Sequence, residues 1–148
     1  MTEFEALMRV ILAATLGGAV GIERELQEKG AGLRTHALVA LGAALFTTIG
    51  ILLIDIPHVD EANVSLDASR IIAGIVGGVG FLGGAVVFRG NDRARGLTTA
   101  AGIWAVTGIG IAAGLGAYVL AVGATVLVLT ILYLLMLVER QIGMRKRE

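Results

Sequence analysis

Residues 117–138 read AYVLAVGATVLVLTILYLLMLV, an apolar run without a single charged side chain. A run of about 20 apolar residues spans the roughly 30 Å hydrocarbon core of a bilayer as an α-helix. The run is continuous rather than alternating, which favours a helix over a strand of a membrane β-barrel. Four further apolar runs precede it, so the sequence predicts five transmembrane spans, at residues 4–22, 35–54, 71–88, 97–113 and 117–138.

The overall composition also indicates a membrane protein. Of 148 residues, 56% are hydrophobic and 16% are charged, and the mean hydropathy is +0.85. A soluble helical bundle is the alternative, but it would need several helices that are apolar on every face. We therefore expect an all-α membrane protein. The chain has no cysteine, which excludes disulfides and thiolate metal sites, and we expect no cofactor.

The distribution of basic residues predicts the orientation. Ten of the 12 Lys and Arg residues fall in segments 23–34, 89–96 and 139–148, which lie on one side of the membrane if there are five spans. Basic loops face the cytoplasm, so the N-terminus is expected outside and the C-terminus inside a bacterial cytoplasmic (inner) membrane. Residues 1–138 would form the membrane domain and residues 139–148 a basic cytoplasmic tail. Arg9 interrupts the first span and is expected to snorkel or to face the protein interior.

Glycines recur at four-residue spacing inside the predicted spans. Small residues at this spacing allow helix backbones to approach closely in a membrane. We interpret them as helix-packing positions that also favour a homodimer, while a permeation path lined by glycine is the alternative. The pairs that carry this prediction are Gly17 with Gly21, Gly74 with Gly78, Gly80 with Gly84, and Gly110 with Gly114.

Two stretches of the sequence are repeated. Residues 16–20, LGGAV, recur at 82–86, and residues 32–35, GLRT, resemble GLTT at 96–99. The repeat predicts two similar parallel hairpins, made of spans one and two and of spans three and four, followed by a fifth helix. Chance matching in a chain rich in Gly, Ala and Leu is the alternative.

The predicted cytoplasmic rim combines basic residues with threonines where spans two and four begin. Threonine is a common helix N-cap, and two helix N-termini side by side would bind an anion. The alternative is that the threonines only cap helices and the arginines only anchor at head groups. Glu23 is expected to pair with Arg34 or Arg89, or else to line a cation route. The candidate rim site for an anion or a partner comprises Glu23, Arg24, Arg34, Thr35, His36, Arg89, Arg95, Thr98 and Thr99.

The opposite face and the remaining sequence offer little chemistry. Asp67 precedes the third span and Arg70 lies at its start, so Asp67 is expected to cap that helix, with weak binding of a cation such as Mg²⁺ as the alternative. No arrangement of nucleophile, base and acid is evident, and we expect neither an enzyme nor a nucleic-acid-binding protein. The expected partners are the lipid bilayer and another membrane protein or a second copy of the chain.

Several boundary motifs resemble those of the MgtC/SapB family of bacterial inner-membrane proteins. They cover about residues 8–138 and comprise GIERE at 21–25, AGLRTH at 31–36, GFLG at 80–83 and RGLTTAA at 95–101, with Asp67, Ser69 and Arg70 at the start of span three. Where the family commonly has proline, this chain has Ala68. Many members continue with a soluble cytoplasmic domain, and functions that need such a domain are not expected of residues 1–148.

The resemblance implies five spans and a role in growth or survival at low Mg²⁺, in some members inside macrophages, where the family contributes to virulence. It implies a non-enzymatic regulator, and some members act by contacting ATP synthase. A transporter for Mg²⁺ or another ion is the alternative function. Spans two to five contain no formally charged residue near the membrane midplane, which favours the regulator.

Overall fold

The computed structural model describes residues 1–54, 68–87 and 96–141, and these residues confirm five helices. The helices are α1 (Glu3–Leu26), α2 (Leu33–Ile54), α3 (Ala68–Val87), α4 (Leu97–Gly114) and α5 (Tyr118–Gln141). Each is long and apolar enough to cross a membrane. The chain is therefore a multi-pass membrane protein. The main departure from the predicted bounds is at α1, which continues past Ile22 and so carries Glu23 and Arg24 within its last turns.

The centre of the bundle is α4, which contacts each of the other four helices. Its apolar side chains Val106 and Ile109 pack with Ala13 and Val20 of α1 and with Ala40 of α2. Most of these core side chains are small, so the three helices α1, α2 and α4 lie close together. The two remaining helices pack around this core, α3 against α4 and α2, and α5 against α4 and α1.

Glycines set the spacing between α1 and α2. A Cβ atom placed on Gly17 would lie 2.5 Å from the Ala40 Cβ and 2.6 Å from the His36 carbonyl oxygen. One placed on Gly21 would lie 2.6 Å from the Leu33 Cα. Atoms this close overlap, so only glycine fits at these two positions.

The contact between α4 and α2 follows the same rule. A Cβ on Gly114 would lie 2.8 Å from the Thr47 Cβ, and one on Gly110 would overlap the Ala40 carbonyl oxygen. The two backbones are therefore in direct contact, as van der Waals packing in a membrane requires.

The glycines of α3 have no such neighbours. No atom of the described residues lies within 4 Å of a Cβ placed on Gly74, Gly78, Gly80 or Gly84. The prediction that these four glycines pack helices together is therefore not met within the described part of a single chain. The physical reason is that α3 lies at the edge of the bundle, and none of its described side chains is fully buried.

The two predicted hairpins show one equivalent contact. Gly17 of α1 lies against His36 of α2, and Gly83, its counterpart in the repeat, has Ala100 of α4 as its neighbour at 3.8 Å. His36 and Ala100 are separated by the same 64 positions as the repeated threonine stretches. The contact of Gly83 with Ala100 is looser than that of Gly17 with His36. It supports the repeat, which stays a prediction.

Arg9 faces the protein interior at the end of the bundle opposite the α1–α2 turn. Its side chain is 13% exposed and pairs with Glu5 at 2.5 Å. One guanidinium nitrogen also donates to the carbonyl oxygen of Gly114, 2.9 Å away at the C-terminus of α4. A cation is favourable at a helix C-terminus because the terminal carbonyls are unpaired and partly negative. The interaction joins α1 to the α4–α5 turn.

Gly21→Ala is expected to separate α1 from α2, because the added methyl group would meet the Leu33 backbone, which cannot rotate away. Overpacking of this kind costs about 1–3 kcal/mol, and the thermal unfolding temperature in detergent should fall accordingly. Gly80→Ala is the matched control, since nothing among the described residues lies within 4 Å of its new Cβ. Equal unfolding temperatures for the two variants would contradict the packing.

Candidate functional site

The predicted rim residues Glu23, Arg24 and His36 come together where α1 ends and α2 begins. The guanidinium of Arg24 donates to both carboxylate oxygens of Glu23, at 2.6 and 3.0 Å. Arg24 is only 4% exposed, so the pair is largely withdrawn from solvent. The predicted pairing of Glu23 with Arg34 is wrong, because Arg34 is exposed and the neighbouring Arg24 takes both oxygens. Arg89, the other predicted partner, lies outside the described residues.

His36 is the most deeply buried polar group of this cluster. It has no exposed surface, and its Nδ1 lies 3.0 Å from the carbonyl oxygen of Gly32. A carbonyl only accepts, so Nδ1 carries the proton of this hydrogen bond in the neutral ring. The other nitrogen, Nε2, has no hydrogen-bond partner. A Cβ placed on Gly102 of α4 would lie 3.2 Å from Nε2, so the ring faces a glycine on the central helix.

The start of α2 is capped by Glu25, a residue that the sequence analysis missed. The Glu25 carboxylate accepts a hydrogen bond from the backbone N–H of Leu33 at 2.8 Å. Thr35 was expected near the cap, but α2 begins at Leu33 and places Thr35 in its first turn as an exposed residue. The anion at this helix N-terminus is therefore a side chain of the chain itself. The signal in the sequence that could have indicated this cap was an acidic residue, Glu25, shortly before the glycines at positions 30 and 32.

The start of α4 lacks a side-chain cap. Its N-cap residue is Gly96, whose φ of 79° lies in the left-handed region that favours glycine. The expectation that Thr98 or Thr99 caps this helix is therefore wrong, since both lie inside its first turn. Thr98 is exposed and Thr99 is buried. The repeated Thr-containing motifs thus mark helix starts, while the N-cap in each case is the preceding glycine.

Three of the predicted site residues lie outside the described part of the chain, and one predicted residue of the face opposite the rim, Arg70, lies inside it. Arg89, Arg95 and Asp67 lie outside the described residues. Arg70 is exposed in the first turn of α3. Across residues 1–54, 68–87 and 96–141, no group of three His, Asp or Glu side chains lies close enough together to hold a metal ion. The cation site proposed as the alternative for Asp67 stays a prediction.

The threonines within the helices bond to their own backbone. Thr47, Thr107 and Thr125 each donate a hydroxyl proton to the carbonyl oxygen four residues earlier, at 2.7 to 2.9 Å. Thr130 does the same, and Thr48 bonds to the carbonyl oxygen of Leu45. Such bonds satisfy a hydroxyl inside an apolar environment. Among the described residues, the buried side-chain nitrogens without a hydrogen-bond partner are therefore His36 Nε2 at the start of α2 and Arg9 Nε beside the C-terminus of α4. Both lie near helix ends rather than at the membrane midplane.

Glu25→Ala is expected to loosen the first turn of α2, because the Leu33 N–H loses its acceptor. Loss of a helix cap costs roughly 1 kcal/mol, so hydrogen exchange at the Leu33 amide should accelerate about fivefold. Glu25→Gln keeps an acceptor oxygen and should behave largely like the wild-type chain. Glu28→Ala is the control in the same turn. An unchanged exchange rate in Glu25→Ala would refute the cap.

Comparison with known proteins shows that the chain is similar in sequence to two bacterial proteins, YhiD and MgtC. The chain is 49% identical over 80 residues to the putative magnesium transporter YhiD of Escherichia coli K12, a match that covers 53% of the chain and 36% of that protein. It is 39% identical over 90 residues to Protein MgtC of Salmonella typhimurium LT2, covering 60% of the chain and 34% of the relative. The matched part thus spans about a third of these relatives. No solved structure matches.

The match to the family as a whole extends further than either pairwise comparison. A sequence profile of the MgtC family covers residues 10–141, which includes the Glu23–Arg24 pair, His36 and nearly all of the five helices. The chain belongs to the MgtC family.

Proposed function

We propose that this chain is a non-enzymatic regulator of the bacterial inner membrane that supports growth at low Mg²⁺ by contacting another membrane protein. In this proposal the N-terminus lies outside and the start of α2 faces the cytoplasm. The contact is made by α3. The polar cluster at the start of α2 stabilises the packing of the bundle.

The exposed face of α3 is the observation that carries the proposal. Gly77 and Gly80 are exposed, and no atom of the described residues lies within 4 Å of a Cβ placed on either. Phe81, which follows Gly80 in α3, is 80% exposed. Small residues such as glycine are enriched where membrane helices pack together, because they permit close approach of a second helix. A helix from another protein would therefore find a small-residue surface with one aromatic anchor.

The alternative function is transport of Mg²⁺, which the name of the E. coli relative suggests. Mg²⁺ prefers oxygen ligands and gives up its waters reluctantly. The buried hydroxyls of Thr47, Thr107 and Thr125 already bond to their own helices, and the partly buried Glu23 carboxylate pairs with Arg24. These contacts favour the regulator, since the oxygens of these four side chains are engaged within the protein.

The test combines growth with ion flux. In a strain that lacks this protein, the wild-type chain should restore growth at low Mg²⁺, and the double variant Gly77→Leu/Gly80→Leu should not, because two leucines block the α3 surface. Gly123→Leu is the matched control on α5, where a new Cβ also has no neighbour within 4 Å among the described residues. All variants are compared at equal membrane abundance.

Liposomes that contain the purified chain and a Mg²⁺-sensitive dye provide the second arm. We expect no Mg²⁺ entry above that of protein-free liposomes. Mg²⁺ entry that the wild-type chain catalyses, and that is lost in the same variants that fail to restore growth, would overturn the regulator in favour of the transporter. Growth restored equally by the α3 variant and the α5 control would remove α3 as the contact surface.

A further inference from the structure

An apolar groove lies between α2 and α3, separate from the polar cluster. The two helices touch where Ile71, near the start of α3, meets Gly50 of α2. Further along, Gly74 and Gly78 of α3 have no neighbour within 4 Å among the described residues. The helices therefore diverge and leave a groove of about 630 Å³. We call this space the α2–α3 groove; its α2 wall runs from Leu38 to Phe46.

The lining of the groove is entirely nonpolar in chemistry. Leu38 and Phe46 line it from α2, and Ile75, Val79 and Leu82 line it from α3. No side chain of the lining carries a hydrogen-bonding group. The volume falls within the range of roughly 300–1,000 Å³ that is typical of small-molecule pockets. An occupant must therefore be apolar over this part of its length.

The size of the groove distinguishes a lipid tail from a protein helix. The α2 wall comprises the nine residues from Leu38 to Phe46, whose Cα atoms are eight helical steps, or about 12 Å, apart along the axis. A helix that crosses the bilayer is about 30 Å long and about 10 Å wide, so it would extend well beyond this groove. An acyl chain is much narrower and can lie in a short groove while the rest of the lipid stays in the bilayer.

A cation lies next to one end of the groove. Arg34 is one helical turn before Leu38, and Thr35 is one turn before Val39, which also lines the groove. Both residues are exposed, and the Arg34 side chain makes no ion pair or hydrogen bond with any described residue. They lie in the first turn of α2, at the membrane boundary where lipid phosphates are found. The Glu25 carboxylate, which lies at the start of the same helix, is bonded to the Leu33 N–H.

We propose that the α2–α3 groove binds the acyl chain of an anionic phospholipid whose phosphate is held by Arg34, with the Thr35 hydroxyl beside it. The charge of Arg34 complements the head group, and the groove accepts the tail. The site is independent of the regulatory contact, because it uses Gly74 and Gly78 at the α2 side of α3 rather than Gly77 and Gly80.

Native mass spectrometry of the purified full chain tests the proposal, with phosphatidylglycerol and phosphatidylcholine of identical acyl chains as probes. We expect more phosphatidylglycerol than phosphatidylcholine bound to the wild-type chain. A single Arg near the membrane surface is worth about fivefold in binding to anionic lipid. Arg34→Gln should therefore lower phosphatidylglycerol binding about fivefold and lower phosphatidylcholine binding less, because the choline cation already balances the phosphate charge of that lipid. Arg70→Gln, at the other end of α3, is the charge control and should have no effect.

A second pair of variants tests the groove itself. Gly78→Leu would fill the groove without a clash inside the described chain, and it should lower binding of both lipids. Gly108→Leu is the matched control, because a Cβ there also has open space but lies on α4 outside the groove. Equal binding of the two lipids to the wild-type chain would overturn the head-group assignment. Undiminished binding to Gly78→Leu, or an equal loss in Gly108→Leu, would overturn the groove.

Discussion

Direct backbone contact of α2 with α1 and α4 holds the centre of the bundle together. Gly17 and Gly21 bring α1 onto α2, and Gly110 and Gly114 bring α4 onto α2 from another side. In a bilayer no hydrophobic effect drives helices together, so the attraction must come from close van der Waals contact and polar bonds. Any larger side chain at these glycines would separate the helices and lose that contact.

The same close contact explains how polar groups are tolerated inside the bundle. His36 has no exposed surface because Gly17 and Gly102 let α1 and α4 close over its helix. The Glu23–Arg24 pair lies beside it and is charge-neutral as a unit. A buried pair contributes little net stability compared with apolar packing, but loss of either partner leaves an uncompensated charge. The polar bond that joins the end of α1 to the start of α2 is the one from the Leu33 N–H to Glu25.

The helices outside this contact have a different role. Because α3 meets α2 at one end only, it leaves a lipid-sized groove on one side and exposed glycines on the other. Arg34 makes no ion pair or hydrogen bond with any described residue, while Glu23 and Glu25 bond to Arg24 and to the Leu33 N–H. Both proposals concern surfaces that the core leaves unfilled, one for a lipid and one for a protein helix. The bilayer is the solvent for both.

Long apolar runs and charged boundary motifs are local signals, and they were enough to predict the five helices, their approximate bounds and the family. The spacing of Gly17 and Gly21 also indicated that these residues pack helices. That the glycines of α3 have no such neighbours emerges from the arrangement of the helices, since GxxxG spacing is identical at the centre and at the edge of a bundle. The cap of α2 also depends on tertiary structure, because the approach of α1 to α2 brings the Glu25 carboxylate to the Leu33 N–H. The partner of Glu23 is its neighbour Arg24 in the same helix, and the sequence alone did not distinguish this pairing from one with Arg34 or Arg89.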